Sequence, residues 1–158
     1  MKNFMKNLVL TGLVLLLLLS VTSAKIEFNN LQGLVDSYNV NIEKAPEVLK
    51  ALLGSEIFDF TIPLNNGSTL RWGFETQNAK IINSSQGGIE NPTIVVYATE
   101  EAINNVLTAK DTVAAYQKAE QDGQIKIEGK TFVSNLKLKA ALANAGAIKY
   151  FFGIFAQA

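Results

Sequence analysis

The chain has 158 residues with 14 basic and 14 acidic side chains, so its formal net charge is zero, and 48% of it is hydrophobic. It contains neither cysteine nor histidine, which excludes disulfides, thiol nucleophiles, serine–histidine–aspartate chemistry and zinc sites built from those ligands. The balanced charge gives no electrostatic reason to expect nucleic acid as a partner.

The opening stretch "MKNFMKNLVLTGLVLLLLLSVTSA" begins with Lys2 and Lys6, runs uncharged and apolar from Leu8 to Leu19, and closes on Thr22, Ser23 and Ala24. A basic start, a short apolar core and small residues at the end make an export signal over residues 1–24. The apolar core is short of the roughly 20 residues that a membrane span needs. Val21 extends it enough to leave a retained anchor as the alternative. The expected location is therefore exported: extracellular, periplasmic or cell-surface. Residues 25–158 then form one domain with 12 basic and 14 acidic side chains, large enough to bury a real core.

"FNNLQGLVDSYNVNIEKAPEVLKALLG" (28–54) reads as two short helices. Leu31, Leu34, Val35 and Tyr38 recur at helical spacing, and Pro46 suits the start of a second helix carrying Val48, Leu49, Leu52 and Leu53. The period then changes to two. "EIFDFTIPL" places Ile57, Asp59 and Thr61 on one side of a strand and Phe58, Phe60 and Ile62 on the other. "NNG" (65–67) marks a hairpin turn. "STLRWGFET" sets Leu70, Trp72 and Phe74 on one face, "AKIIN" follows, and a loose "SSQGGIENP" loop leads to the apolar strand "TIVVYA" (93–98). These spacings predict an antiparallel meander of four strands.

Thr99 is placed to cap a helix with Glu100 and Glu101 in its first turn and Ala102, Ile103, Val106 and Leu107 on its buried side. Asp111 caps another, carrying Val113, Tyr116 and Ala119, which ends at Gly123. "GQIKIEG" (123–129) is an isolated strand bracketed by glycines. From Thr131 a final helical run carries Phe132, Val133, Leu136, Ala140 and Ala143, followed by the apolar tail "AIKYFFGIFAQA". Helices, a strand meander, two helices, a strand and a helix describe an α+β domain: a mostly antiparallel five-stranded sheet covered on one face by about five helices.

The stretch "YATEEAINNVLTAKDTVAAYQKAEQDGQIKIEGKTFVSNLKLKAAL" (97–142) resembles the sterol carrier protein type two domain. That family has a strand leading into an acidic-capped helix, a helix ending at glycine, a short G-x-I/L-x-I/L-x-G strand and a final amphipathic helix. The resemblance extends over roughly residues 30–152. Ala109 departs from it, standing where the family often has glycine before the lysine. What the resemblance implies is an apolar tunnel between sheet and helices. It would hold a lipid, a fatty acyl chain or an isoprenoid, with Ile125 and Ile127 on its wall.

On that reading the ligand-binding residues are Trp72, Phe74, Ile94, Val96, Ile103, Val106, Leu107, Val113, Tyr116, Ile125, Ile127, Phe132, Val133 and Leu136. Their alternative role is a solid core. Phe151, Phe152, Ile154 and Phe155 of the tail would form a lid, touch a membrane, or pack as the last turn of a helix. Lys126, Lys130, Lys137, Lys139 and Lys149 gather in the last third, either to meet anionic head groups in transient membrane contact or as a solvated face.

No catalytic residue, metal or cofactor is expected. Asp59, Glu75, Asp111 and Glu120 read as surface charge, and "SSQGG" lacks the lysine and helix of a phosphate loop. Asn66 and Asn83 stand in glycosylation patterns. The function implied is non-catalytic binding or transfer of an apolar ligand. The alternatives are a small cone-shaped α+β enzyme, for which only Asp59, Arg71, Tyr97 and Tyr116 would supply polar groups, and an interaction module with a filled core.

Overall fold

The computed structural model describes Phe28 and residues 30–156. The expected export segment, 1–24, lies outside the described residues. Helix α1 (Leu31–Asn41) begins where the Asn30 side chain accepts a hydrogen bond from the Gly33 amide, and it buries Leu34, Val35 and Tyr38. A 3₁₀ turn (Ile42–Lys44) and helix α2 (Glu47–Leu52), which starts directly after Pro46, complete the first layer.

Five strands then form one sheet: β1 (Ile57–Pro63), β2 (Thr69–Gln77), β3 (Lys80–Gln86), β4 (Ile94–Ala98) and β5 (Ile125–Gly129), in the order β3-β2-β1-β4-β5. The first three are a meander, with Phe60 opposite Trp72 and Phe74 opposite Ser84. The fourth corrects the sequence expectation. β4 lies on the far side of β1 and runs parallel to it, Phe58 beside Ile94 and Phe60 beside Val96. Three of the four pairings are antiparallel, so the sheet is mixed.

The reason lies in the loop "GGIENPT" (87–93), which crosses the sheet's outer face. The Gly87 amide bonds the Arg71 carbonyl at 2.8 Å, the Ile89 amide reaches Asp59 Oδ1 at 3.2 Å, and the Thr93 amide bonds the Ile57 carbonyl at 2.8 Å. Gly73 in β2 makes the crossing possible, because a β-carbon there would sit 2.5 Å from that of Ile89. The crossing carries the chain past β2 and β1 to the open edge.

Helices α3 (Glu100–Thr108), α4 (Thr112–Gln121), α5 (Phe132–Leu142) and α6 (Ala145–Phe155) complete the chain. Each is capped by a side-chain oxygen: Thr99, Asp111, Thr131 and Asn144 accept from the Ala102, Val113 and Ala114, Ser134 and Ala147 amides respectively. These caps satisfy amide donors that the helix itself leaves unpaired. Asn144 explains why the expected single last helix is two, giving six α-helices among the described residues.

The glycine-bracketed strand now has a physical account. Gly123 adopts φ 71° to close α4, and Gly129 passes so close to the first turn of α5 that a β-carbon would strike the Asn135 backbone. Between them Ile125 and Ile127 face the helices, and Lys126 and Glu128 are exposed.

Candidate functional site

Alternation along the strands sends one set of side chains toward the helices, and on β1 and β2 most of that set is aromatic. Phe58, Phe60, Trp72 and Phe74 form a continuous floor, with ring centroids 4.8 Å apart for Phe58–Phe74, 5.3 Å for Phe60–Phe74 and 5.1 Å for Trp72–Phe74. Val96, Ala98, Ile125 and Ile127 continue it across β4 and β5. The helices above do not fill all of the space over these rings. The result is an apolar cavity of about 140 Å³ between the layers.

Its roof comes from several helices. Ile103 on α3 and Tyr116 on α4 close one side; Leu138, Ala141 and Leu142 on α5 close another. Helix α6 contributes Phe151, Phe152 and Phe155, packed edge-on at 5.6 Å and 5.4 Å between centroids. These three rings are only half-buried. Phe152 also meets Tyr116 at 6.0 Å, and Tyr150 ties α6 to α1 through a 2.8 Å hydrogen bond to the Asn41 carbonyl.

The predicted site residues fall into three groups. Trp72, Phe74, Val96, Ile103, Tyr116, Ile125 and Ile127 line the cavity. Ile94 and Val106 are fully buried but pack in the core away from it, and Leu107 and Val113 are half-buried outside its walls. Phe132, Val133 and Leu136 face solvent, 84%, 58% and 61% exposed. The last three are a correction, and it has one cause. The helical phase of α5 is set by Ser134, Leu138 and Ala141, which are its buried residues, and the apolar residues on the opposite side misled a reading from hydrophobicity alone.

Sequence reasoning missed Phe58, Phe60 and Ile62, although their alternation was the available signal, and missed the walls from α1 and α2; of the tail residues offered as a lid, Phe151, Phe152 and Phe155 line the cavity.

Among the lining side chains only Trp72 and Tyr116 carry a polar atom. Trp72 Nε1 donates to Ser84 Oγ at 3.2 Å. The Tyr116 hydroxyl is buried without a hydrogen bond among the described residues. Burial first, and then the nearby Glu120 carboxylate acting through its charge, pushes the Tyr116 pKa up, so it stays neutral at ordinary pH. Asp59 and Arg71 pair at 2.6 Å on the outer face of the sheet, and Asp59 is largely buried there rather than a surface charge. Tyr97 is 38% exposed and also points outward. No acid or base reaches the cavity from these residues. Among the described residues no cluster of three metal-ligating side chains occurs.

A second buried cluster was not foreseen. Glu56, 4% exposed, accepts hydrogen bonds from Lys137 Nζ at 2.8 Å, Ser134 Oγ at 2.7 Å and Thr93 Oγ1 at 2.6 Å. Burial pushes the Glu56 carboxyl up, but these donors and the Lys137 charge outweigh it and hold the carboxyl below its ordinary value. Ser134 is itself 2% exposed and receives a further bond from Thr131 at 2.8 Å. Glu56 and Ser134 are closed to solvent, and Lys137 reaches them from a side chain that is a third exposed. The cluster fastens the first turns of α5 to the start of β1.

A mixed five-stranded sheet with helices packed over one apolar face and a cavity between the layers defines a two-layer α+β architecture. The fold is that of sterol carrier protein 2 domains. No family model and no curated protein matches the chain. Solved structures do. A conserved hypothetical protein of Thermus thermophilus, described as a candidate sterol carrier protein, is 11% identical with a TM-score of 0.50, over 79% of this chain and 85% of that one. The sterol carrier protein domain 2 of Helicoverpa armigera is 22% identical with a TM-score of 0.49, over 71% of this chain and 84% of that one. Sterol carrier protein 2 of Yarrowia lipolytica, in its apo form, is 16% identical with a TM-score of 0.44, over 82% and 97%.

Proposed function

We propose that the chain is a non-catalytic carrier that holds one apolar molecule, a lipid, fatty acyl chain or isoprenoid, between its sheet and its helices. The observation that carries this reading is the chemistry of the cavity wall: aromatic and aliphatic on every side, with one neutral hydroxyl and no titrating acid or base. Such a wall offers burial and nothing to drive a reaction. The description of the Thermus thermophilus protein of this fold as a candidate sterol carrier supports an apolar ligand. Residues 1–24 support a role outside the cytoplasm.

Magnitude decides how the ligand enters. A cavity of about 150 Å³ holds a molecule the size of benzene, and the present one is about 140 Å³. A sixteen-carbon chain needs several times that space. Binding such a chain therefore requires a wall to move, and α6 is the wall whose lining rings are half-exposed. Burial of the chain leaves a surplus against which the movement of α6 is set. About 0.8 kcal/mol per buried methylene gives about 12 kcal/mol gross, against about 4 kcal/mol or more for lost freedom.

Native mass spectrometry of the purified protein, with solvent extraction of what co-purifies, tests the proposal. Release of an apolar molecule at one per chain is the expected result. A ligand-free protein whose melting temperature is unmoved by fatty acids, sterols and isoprenoid lipids would overturn it in favour of an interaction module with a filled core.

A further inference from the structure

Six large apolar side chains stand exposed among the described residues: Val40, Ile82, Tyr97, Phe132, Val133 and Leu136. The first three are scattered over α1, β3 and β4, and isolated exposure of that kind is ordinary. The other three occur within five residues on one helix. Phe132 and Leu136 are one turn apart, and Val133 lies beside them, so they form a single patch. Helix α5 is thus apolar on both sides: Leu138 and Ala141 inward, Phe132, Val133 and Leu136 outward. A helix with a second apolar stripe has a second apolar surface to cover, and here nothing among the described residues covers it.

Charge says what would cover it. Residues 25–122 carry 7 basic and 13 acidic side chains, whereas 123–158 carry five lysines and one glutamate. The net excess is therefore −6 over the first segment and +4 over the second. Lys130 and Lys139 flank the patch along the chain, at the start of α5 and one turn beyond Leu136. Among the described residues Lys130 pairs with Glu128 at 3.0 Å, and that pair is solvent-exposed and therefore weak. Lys139 has no ion pair among the described residues.

We propose that the outer face of α5 is a docking surface for an anionic lipid bilayer, with Phe132, Val133 and Leu136 entering the head-group region and Lys130 and Lys139 meeting lipid phosphates. Apolar side chains inserted shallowly, ringed by lysines, are what an interfacial helix requires. A second copy of this chain fits the face less well, because two-fold packing of α5 on α5 sets the same lysines near each other. The proposal is independent of what the cavity holds. It does have a structural corollary, since the inner side of the same helix is a cavity wall.

The chain's lack of cysteine allows a single-site test on the full chain. Leu136→Cys and, for comparison, Ile82→Cys are labelled with an environment-sensitive fluorophore. Each is titrated with vesicles of phosphatidylcholine alone or mixed with phosphatidylglycerol. The expected result is that the probe at position 136 shifts to the blue and becomes protected from an aqueous quencher on the anionic vesicles only, while the probe at 82 does not respond. Adding Lys130→Gln and Lys139→Gln should raise the lipid needed for half-maximal response about tenfold or more. A position-136 probe that stays quenchable at saturating anionic lipid, or two probes that respond alike, would overturn the proposal. Protection that instead grows with protein concentration in the absence of vesicles would overturn it too, and would assign the face to a second copy.

Discussion

Lys137 Nζ lies 2.8 Å from Glu56 Oε1, joining residues 81 positions apart in the chain. The lysine is a third exposed and the carboxylate almost wholly buried, with side-chain exposures of 33% and 4%. Removing the two partners should therefore have unequal effects. Glu56→Leu strands Thr93, Ser134 and Lys137 together and should cost about 3 kcal/mol or more in urea unfolding. Lys137→Met leaves the carboxylate its two hydroxyl donors and should cost about 1–2 kcal/mol. Equal losses would show that the hydroxyls contribute nothing.

The same carboxylate sets a pH dependence. Its folded-state pKa is held below the ordinary value, so the unfolded chain takes up a proton first as pH falls. The stabilisation is fully present above the unfolded value of about 4.3 and is lost as pH drops through the folded value. Thermal melts of the wild type should fall across this acidic window more steeply than those of Glu56→Gln. Parallel curves for the two proteins would remove Glu56 from the account.

Filling the cavity should separate binding from stability. Ala141 is 3% exposed and lines the wall from α5. Ala141→Leu introduces three carbons into space that a ligand would occupy. At about 0.8 kcal/mol per methylene, binding of a fluorescent fatty acid should weaken by roughly sixtyfold while folding stability changes little. Unchanged affinity would place the ligand elsewhere.

The phase of α5 has its own test. Leu138→Ala, on the inner side at 4% exposure, should destabilise by about 2–5 kcal/mol. Phe132→Ser and Leu136→Ser, on the outer side, should stay within about 0.5 kcal/mol of wild type. Reversed outcomes would mean that the helix is rotated by half a turn.

Gly73 answers to geometry alone. Gly73→Val would press against Ile89 where the crossing loop passes and should cost about 2 kcal/mol by overpacking. A neutral effect would mean that the loop is free to lift.

What the chain discloses in one dimension follows from these particulars. Period-two alternation in "EIFDFTIPL" and the caps at Thr99 and Asp111 are local, and the structure has them where the residues ask for them. The side of β1 that β4 would choose is not local. It depends on Gly73 admitting Ile89, a contact between segments that no periodicity registers. The phase of α5 failed for a different reason. Two apolar sides give two equally good stripes, and the choice between them was made by Glu56, which reads in sequence as one more acidic residue before a strand. Strand positions of the cavity wall such as Trp72 and Ile125 were legible, and Phe151 and Phe152 were open to several roles, among which the Asn144 break decides by turning α6 back over the sheet.

The parallel seam between β1 and β4 bears on how the molecule assembles. Strands β1 to β3 can zip through two short reversals, whereas Phe58 meets Ile94 only after the intervening hairpins exist and the crossing segment has found its groove. Non-local pairing of this kind slows refolding. The kinetics should therefore show an early, Gly73-independent hairpin stage and a later, rate-limiting closure that a bulky residue at position 73 retards. Until that closure, the facing edges of β1 and β4 are unpaired, and the interval in which the aromatic floor stands uncovered is when the newly made chain is most open to self-association.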